Sequence, residues 1–573
     1  MKKYLFMALA ALGFAACAEK VDDTNVPKGE LEESYIAINL MAADVNTRAA
    51  EDTYGYEDGT TAERAVNTAY FFFFDENGNP FNVLGSTGGA TAPGGEKNHL
   101  SLTIGAASGN NQPNVSDIKN AVLVLNTYKG VYPSKIVAVL NWTPSENLYS
   151  LDALHDKLAT LGSEADNEGF VMSNSVYMNS ANKMVDAVAI TGDNIKTTPE
   201  EAYGAPINIY VERIAAKVVL TAGGKIPTET DDIIFKVTDD NAFVPVGGTG
   251  TTVYMKLYGW ELYNDYPTST LLKNINTSWT VDALGLTWND SPYYRCYWAQ
   301  SQSAAHSDSF KWSYDPGSFP TVNGFKIATK ATNYDSGTYT YCGENTNQFE
   351  EGTTESDLRT KVILKGQLCK HNGTDYEPLT IGSWYGNNYA GIEDLKKAVA
   401  NSLKYVLYSS ENGTDFTSIT YNDIECVRGV SGTESYEVGF QLSNAGQAKT
   451  WYKKSSEETQ VLGGDISNKE ANISATNLYL AQNVEPALVY EDGKTYYFVD
   501  IEHLGTVGAK YGVVRNHVYQ IDINKISGYG SPVYGEVSFI KPEYPETYND
   551  SFVAAKINVL SWKVVKQSVN IEQ

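Results

Sequence analysis

Two residues near the N-terminus offer chemistry, and both offer it to another enzyme. Cys17 follows Ala15 and Ala16, which close an apolar run over residues 4–14 behind Lys2 and Lys3. A basic start, a short apolar core and small residues before a cut make a secretory signal. Cys17 stands directly after those small residues, where such a signal is cut. Arg48 sits in a short polar stretch, Asn46-Thr47-Arg48-Ala49-Ala50, where an arginine-specific protease could cut between Arg48 and Ala49. The bland alternative for Arg48 is a solvated loop side chain. An apolar N-terminus could also be a membrane span, but that takes about twenty apolar residues. This run is shorter and is followed by Glu19, Asp22, Asp23, Glu30, Glu32 and Glu33.

Catalytic constellations do not emerge elsewhere. The histidines (His99, His155, His306, His371, His503, His517) are scattered, with no HxxxH pair. His517 lies in an alternating stretch beside Arg515 and reads as a packed strand residue. Neither a P-loop nor a GxSxG elbow occurs. Thr238-Asp239-Asp240-Asn241 is a turn signal before it is a calcium site, because no EF-hand spacing follows. Cys296, Cys342, Cys369 and Cys426 are widely spaced and form no CxxC or Cys/His cluster, so no zinc site is expected and any pairing stays open. Tyr293, Tyr294, Trp298, Trp312 and Tyr314 could stack on sugars, although strand and loop covers use the same residues. The expectation is a protein that is not an enzyme, with no cofactor and no metal.

The elements that must position Cys17 and Arg48 follow from composition. At 573 residues the chain is too long for one core, and two large domains are expected. A formal charge of −26 argues against nucleic acid and against anionic membrane surfaces, and suits an exported, soluble body. The 40 tyrosines, many in alternating stretches, point to strands. Residues 65–74 form a β-prone run closed by an Asn77-Gly78 turn signal. Similar runs follow at residues 100–104, 121–125 and 136–140. Leu148, Leu151, Leu154, Leu158 and Leu161 recur at helical spacing, with Ser145 as cap and Gly162 as stop. Residues 207–220 read as one long extended element, and Gly223-Gly224 sets a domain boundary. Residues 264–350 look like surface loops and short strands, and a second helix is expected at 391–403. Closing strands are expected at 495–501, 513–523 and 535–540. Two β-sandwich domains with a few short helices result.

The last residues break the strand rule. Ile557 and Val559 alternate in one parity, Leu560, Trp562 and Val564 in the other, and Val569 with Ile571 return to the first. A parity change turns side chains to the opposite face unless a bend intervenes, so kinks are expected near Leu560 and at 566–568. The tail reads either as the last strand of its own domain or as a segment for another chain.

Several stretches together resemble a known family. They are the leader with Cys17, the early strand at 34–41, Arg48, Val211-Glu212-Arg213, Val513-Val514-Arg515-Asn516-His517-Val518-Tyr519 and the tail Val559-Leu560-Ser561-Trp562-Lys563-Val564. They look like the major, shaft-forming subunit of Bacteroidales short fimbriae, the fimbrillins of type V pili. The leader by itself resembles a bacterial lipoprotein signal. Residues 264–480 depart most from the pattern.

That resemblance implies two transthyretin-like β-sandwiches and a fixed order of events. Residues 1–17 would be the signal with its lipidated (palmitate-bearing) Cys17, 18–48 a propeptide, 49–223 and 224–550 the two domains, and 551–573 a donor tail. Cleavage between Arg48 and Ala49 would free the strand carrying Ile36, Ile38 and Leu40. Ile557, Val559, Leu560, Trp562, Val564, Val569 and Ile571 of a neighbour would then fill the groove. Implied partners are copies of the chain, anchor and tip subunits, the arginine-specific protease, and host or bacterial surface receptors, in adhesion and biofilm formation. The path runs from an outer-membrane lipoprotein to a cell-surface fimbrium. The alternatives are a glycan-binding lipoprotein that stays anchored through Cys17, and a tip or accessory subunit of the same pilus.

Overall fold

Phe71, Phe72, Phe73 and Phe74 are all fully buried in the strand Thr68–Phe74. Successive strand side chains face opposite ways, so an unbroken buried run means a sheet covered on both sides. The computed structural model describes residues 31–41, 59–60, 62–85, 97–103, 119–128, 130–164, 169–175, 177–178, 184–185, 187–229, 232–238, 250–263, 265–273, 339–345, 359–430, 436–456, 458–503, 512–535, 552–560 and 563–568. In it, Phe71 and Phe73 join one apolar cluster and Phe72 and Phe74 another. The adjacent strand Lys135–Leu140 divides in the same way: Ile136, Ala138 and Leu140 join the first cluster, and Val137 and Val139 the second.

The first cluster is the inside of a sandwich. One sheet runs in the order Leu84–Gly85, Lys119–Tyr128, Leu31–Met41, Ile207–Arg213, Met172–Asn174, Lys135–Leu140, Thr68–Phe74, His99–Thr103. Ile207–Arg213 changes partner half way along. Its residues 207–210 pair with Leu31–Met41, and its residues 211–213 pair with Met172–Asn174. The sheet turns over at that strand. Ile36, Ile38 and Leu123 from one half meet Phe71, Ile136 and Met172 from the other.

A second sheet repeats the device. Ala215–Thr221 and Ile233–Thr238 both lie parallel to His517–Ser527, beside residues 518–522 and 526–527 respectively. Tyr254–Tyr263, Lys361–His371 and Lys494–Asp500 continue the order, and Val218, Met255, Trp260, Leu364 and Ile521 fill the core. The expected long element at 207–220 is two strands with Ile214 between them, one in each sheet. The chain therefore passes between sheets at Ile214, ahead of Gly223-Gly224. Those glycines serve close approach instead: a Cβ on Gly224 would lie 1.7 Å from the Asn524 carbonyl oxygen.

Between Lys361–His371 and Lys494–Asp500 the chain builds a third core from Trp384, Leu395, Val399, Phe440, Trp451 and Leu480. Helix Ile392–Leu403 lies where expected, with Gly391 at its cap. Helix Lys469–Asn483 shows no apolar stripe in the sequence, because two of its inward residues are Asn472 and Thr476. Asn472 Oδ1 accepts from Trp451 N–H (2.8 Å), and its amide donates to Trp451 O (2.9 Å). The expected helix over 145–161 is a correction. Only Leu151–His155 is helical, capped by Ser150, and Leu158–Thr160 is a strand paired with Thr268–Thr270. That ladder takes the second half of the run, leaving Leu148 and Leu158 exposed.

The protein is mainly β. Cys342, Cys369 and Cys426 are free and buried. Among the described residues no helix is long and apolar enough to cross a membrane. Cys17, Arg48, Ala49, Cys296, the aromatic group at 293–314 and Asp239-Asp240-Asn241 lie outside the described residues.

Candidate functional site

The strand Leu31–Met41 lies inside its sheet and is held on both edges. Residues 31–39 run antiparallel to Lys119–Tyr128, and residues 38–41 run parallel to residues 207–210. Before Ile38 the second edge is closed by an isolated bridge. Tyr35 N–H donates to Lys196 O (2.8 Å), and Lys196 N–H donates to Tyr35 O (3.0 Å). Ile36 and Ile38 are fully buried, and Leu40 is in backbone register with Ile209. Burying one such side chain is worth about 1.5–3 kcal/mol. Withdrawing the strand would leave apolar pockets and two rows of unpaired backbone groups, which only another strand can satisfy.

The C-terminal segment is a hairpin on the second sheet. Phe552–Leu560 runs antiparallel to His517–Ser527, setting Ile557 opposite Ile521, Val559 opposite Tyr519 and Leu560 opposite Val518, with a slip between Ile523 and Lys525. Lys563–Ser568 then folds back on it, with Val564 opposite Leu560. The expected kink near Leu560 is thus a full reversal, and the strand ends at the second expected break. Trp562, Val569 and Ile571 lie outside the described residues.

Between the two sandwiches lies a buried polar joint. Glu212, next to last in the strand Ile207–Arg213, meets Lys273 at 3.1 Å, both side chains sealed from solvent. Burial pushes the Glu212 carboxyl up, and the charges of Lys273 and Arg515 oppose this only in part. Arg213 Nη1 donates to Asn516 Oδ1 (3.3 Å), and Asn516 N–H donates to Ala215 O (2.7 Å) from a backbone at φ 57°. Asparagine tolerates that left-handed conformation better than most residues. His517 is a buried strand residue whose Nδ1–H donates to Arg515 O (2.7 Å). The Val211-Glu212-Arg213 and Val513–Tyr519 stretches, far apart in sequence, meet here.

Residues 488–568, which hold His517–Ser527 and the hairpin, match the family of the major fimbrial subunit protein type IV, fimbrillin, C-terminal. This segment is similar to the C-terminal part of fimbrillins. Among solved structures the chain is similar to a fimbrilin from Porphyromonas gingivalis W83, with 11% identity over 94% of this chain and 98% of that one and a TM-score of 0.35. It is also similar to the tip fimbrial protein Mfa3 of Porphyromonas gingivalis, with 12% identity over 92% and 100% and a TM-score of 0.29. A fimbrial assembly protein from Parabacteroides distasonis follows, with 10% identity over 75% and 100% and a TM-score of 0.26. The likeness to fimbrillins is that of residues 488–568. No curated protein matches the chain.

The two groups singled out in the sequence lie in different domains. Ile36, Ile38 and Leu40 belong to the first sheet, and Ile557, Val559, Leu560 and Val564 to the second. Sequence reasoning missed Glu63, Lys217, Lys273 and Glu344. Of these only Lys217 carries a local signal, as the charged residue inside the mostly apolar strand Ala215–Thr221.

Proposed function

We propose that this chain is the repeating subunit of a fimbrial shaft. In this reading it is exported as a lipoprotein on Cys17, cut between Arg48 and Ala49 by an arginine-specific protease, and polymerised by donation of residues 551–573. One observation carries the reading: Leu31–Met41 buries Ile36 and Ile38, is paired on both edges, and lies just ahead of the stretch holding Arg48. A cut there turns a covalently tethered strand into a separate peptide that is free to leave.

The vacated slot asks for a strand antiparallel to Lys119–Tyr128 and parallel to Ile207–Arg213. Backbone hydrogen bonds would supply general affinity, and alternate apolar side chains in the Ile36 and Ile38 pockets would set the register. The donor hairpin must first leave the edge of His517–Ser527. Head-to-tail donation does not close on itself, so it yields a filament. Anchor and tip subunits would end the filament, and surface receptors would meet its sides or tip. Arg48→Ala tests the reading: it should hold the protein as a lipidated monomer, and normal filaments from that variant would overturn it.

A further inference from the structure

The turn at residues 62–64, with Thr60 ahead of it, lies between Arg48 and the first strand of the body, and it is fastened to both domains. Glu63 is fully buried. Its Oε1 accepts from Lys217 Nζ (2.7 Å) and Tyr341 OH (2.5 Å), and its Oε2 accepts from Thr60 N–H (2.7 Å). Its carbonyl accepts from Arg213 Nε (2.6 Å). Thr60 Oγ1–H reaches Glu164 Oε1 (2.8 Å), whose other oxygen accepts from Tyr339 OH (2.5 Å). Lys217 Nζ also stands 3.9 Å from the centre of the Tyr339 ring. Burial alone would raise the Glu63 carboxyl, but Lys217 and Tyr341 outweigh it and hold the group low, as an anion. Lys217, Tyr339 and Tyr341 belong to the second sheet, so one side chain of this turn ties the domains together.

Arg64 is the next residue, and it is the second arginine that a processing enzyme would meet. Its own N–H donates to Thr60 O (3.2 Å), and Nε lies 3.4 Å from the same oxygen. Proteolysis needs backbone that can leave its burial and hydrogen bonds. Here Glu63, the residue before Arg64, is the most firmly held in the turn.

We infer that the Glu63 turn is an interdomain latch that closes Arg64 to the processing protease and confines activation to Arg48. This rests on the processing reading above. Between Met41 and Thr60 the sequence has one arginine, Arg48, and no lysine. A cut there spares the latch. A cut at Arg64 would remove Glu63 and leave the Lys217 ammonium buried without its carboxylate, so the product would lose its domain joint. Arg64 is therefore not a substitute activation site.

The test treats the native full-length chain with an arginine-specific endoprotease and sequences the new N-termini. The wild type should yield Ala49 and no Ala65. Glu63→Gln removes the charge but keeps the shape, and Ala65 should then appear roughly a hundredfold faster, since removing one partner of a buried pair is strongly destabilising and cleavage follows the open population. Glu63→Leu combined with Lys217→Met leaves no orphaned charge and should restore most of the resistance. If Glu63→Gln does not fold, Tyr341→Phe keeps the ion pair and should give a smaller rise. Release of Ala65 from the wild type as fast as Ala49, or no change in either single variant, would overturn the latch. If the wild type is not cut at Arg48 while Glu63→Gln opens Arg64, the latch stands and the processing reading falls.

Discussion

Arg515 and Glu344 are sealed together beneath the domain joint. Guanidinium Nε and Nη2 lie 3.0 and 2.9 Å from the same carboxylate oxygen, with the two side chains 0% and 3% exposed. Nη1 donates to Leu271 O (3.1 Å), and Nη2 donates to Thr270 Oγ1 (3.0 Å). Thr268–Thr270 is the strand that pairs with Leu158–Thr160 of the first domain. Arg515 therefore fixes, through one planar group, where the first domain meets the second.

Arg515→Met should destabilise the chain by about 3–5 kcal/mol, because it leaves a buried carboxylate without its partner. Adding Glu344→Leu should recover most of that loss. Urea unfolding of both variants checks this, and a single-variant cost near zero would contradict the joint.

Ile36→Ala should cost the uncut chain about 2–5 kcal/mol, the usual range for emptying a buried isoleucine site. After cleavage at Arg48 and release of the strand, the variant and the wild type should melt alike. Thermal melts before and after protease treatment make the comparison. A persisting difference would mean that the strand stays in its slot.

Much of this was legible in the sequence, for local reasons. The alternation of Ile36, Ile38 and Leu40 marked a strand, and the parity switch at Leu560 marked the hairpin reversal. The joint was not legible. Lys217 lies 154 residues from Glu63, and Arg515 lies 171 from Glu344, and no local period encodes such pairs. Helix Lys469–Asn483 was hidden for a related reason, since Asn472 does inside the core what an apolar residue does elsewhere. The leucine spacing at 148–161 misled because strand pairing to Thr268–Thr270 outweighed helical propensity over its second half.

Trp562→Ala should impair assembly far more than Lys563→Ala. A buried Trp truncated to Ala typically costs about 3–5 kcal/mol, and an exposed polar residue stays within roughly 0.5. Polymer yield from protease-trimmed subunits, read by sedimentation, separates them. Equal yields would remove Trp562 from the groove.

Asp265, beside the joint, carries a pH signature. Burial raises its carboxyl from 3.8 to about 6. A carboxyl raised on folding favours the native state below its unfolded value, and that advantage is lost as pH climbs from about 4 through about 6. Asp265→Asn should therefore melt like the wild type near pH 4 and be more stable by roughly 1–3 kcal/mol at pH 8. Equal melting temperatures at pH 8 would contradict this.

The most direct measurement is the N-terminal sequence of the subunit in filaments sheared from intact cells. The account predicts a chain beginning at Ala49, with residues 31–41 absent. Filaments built of chains that begin at a lipidated Cys17 and retain Ile36 and Ile38 would contradict it.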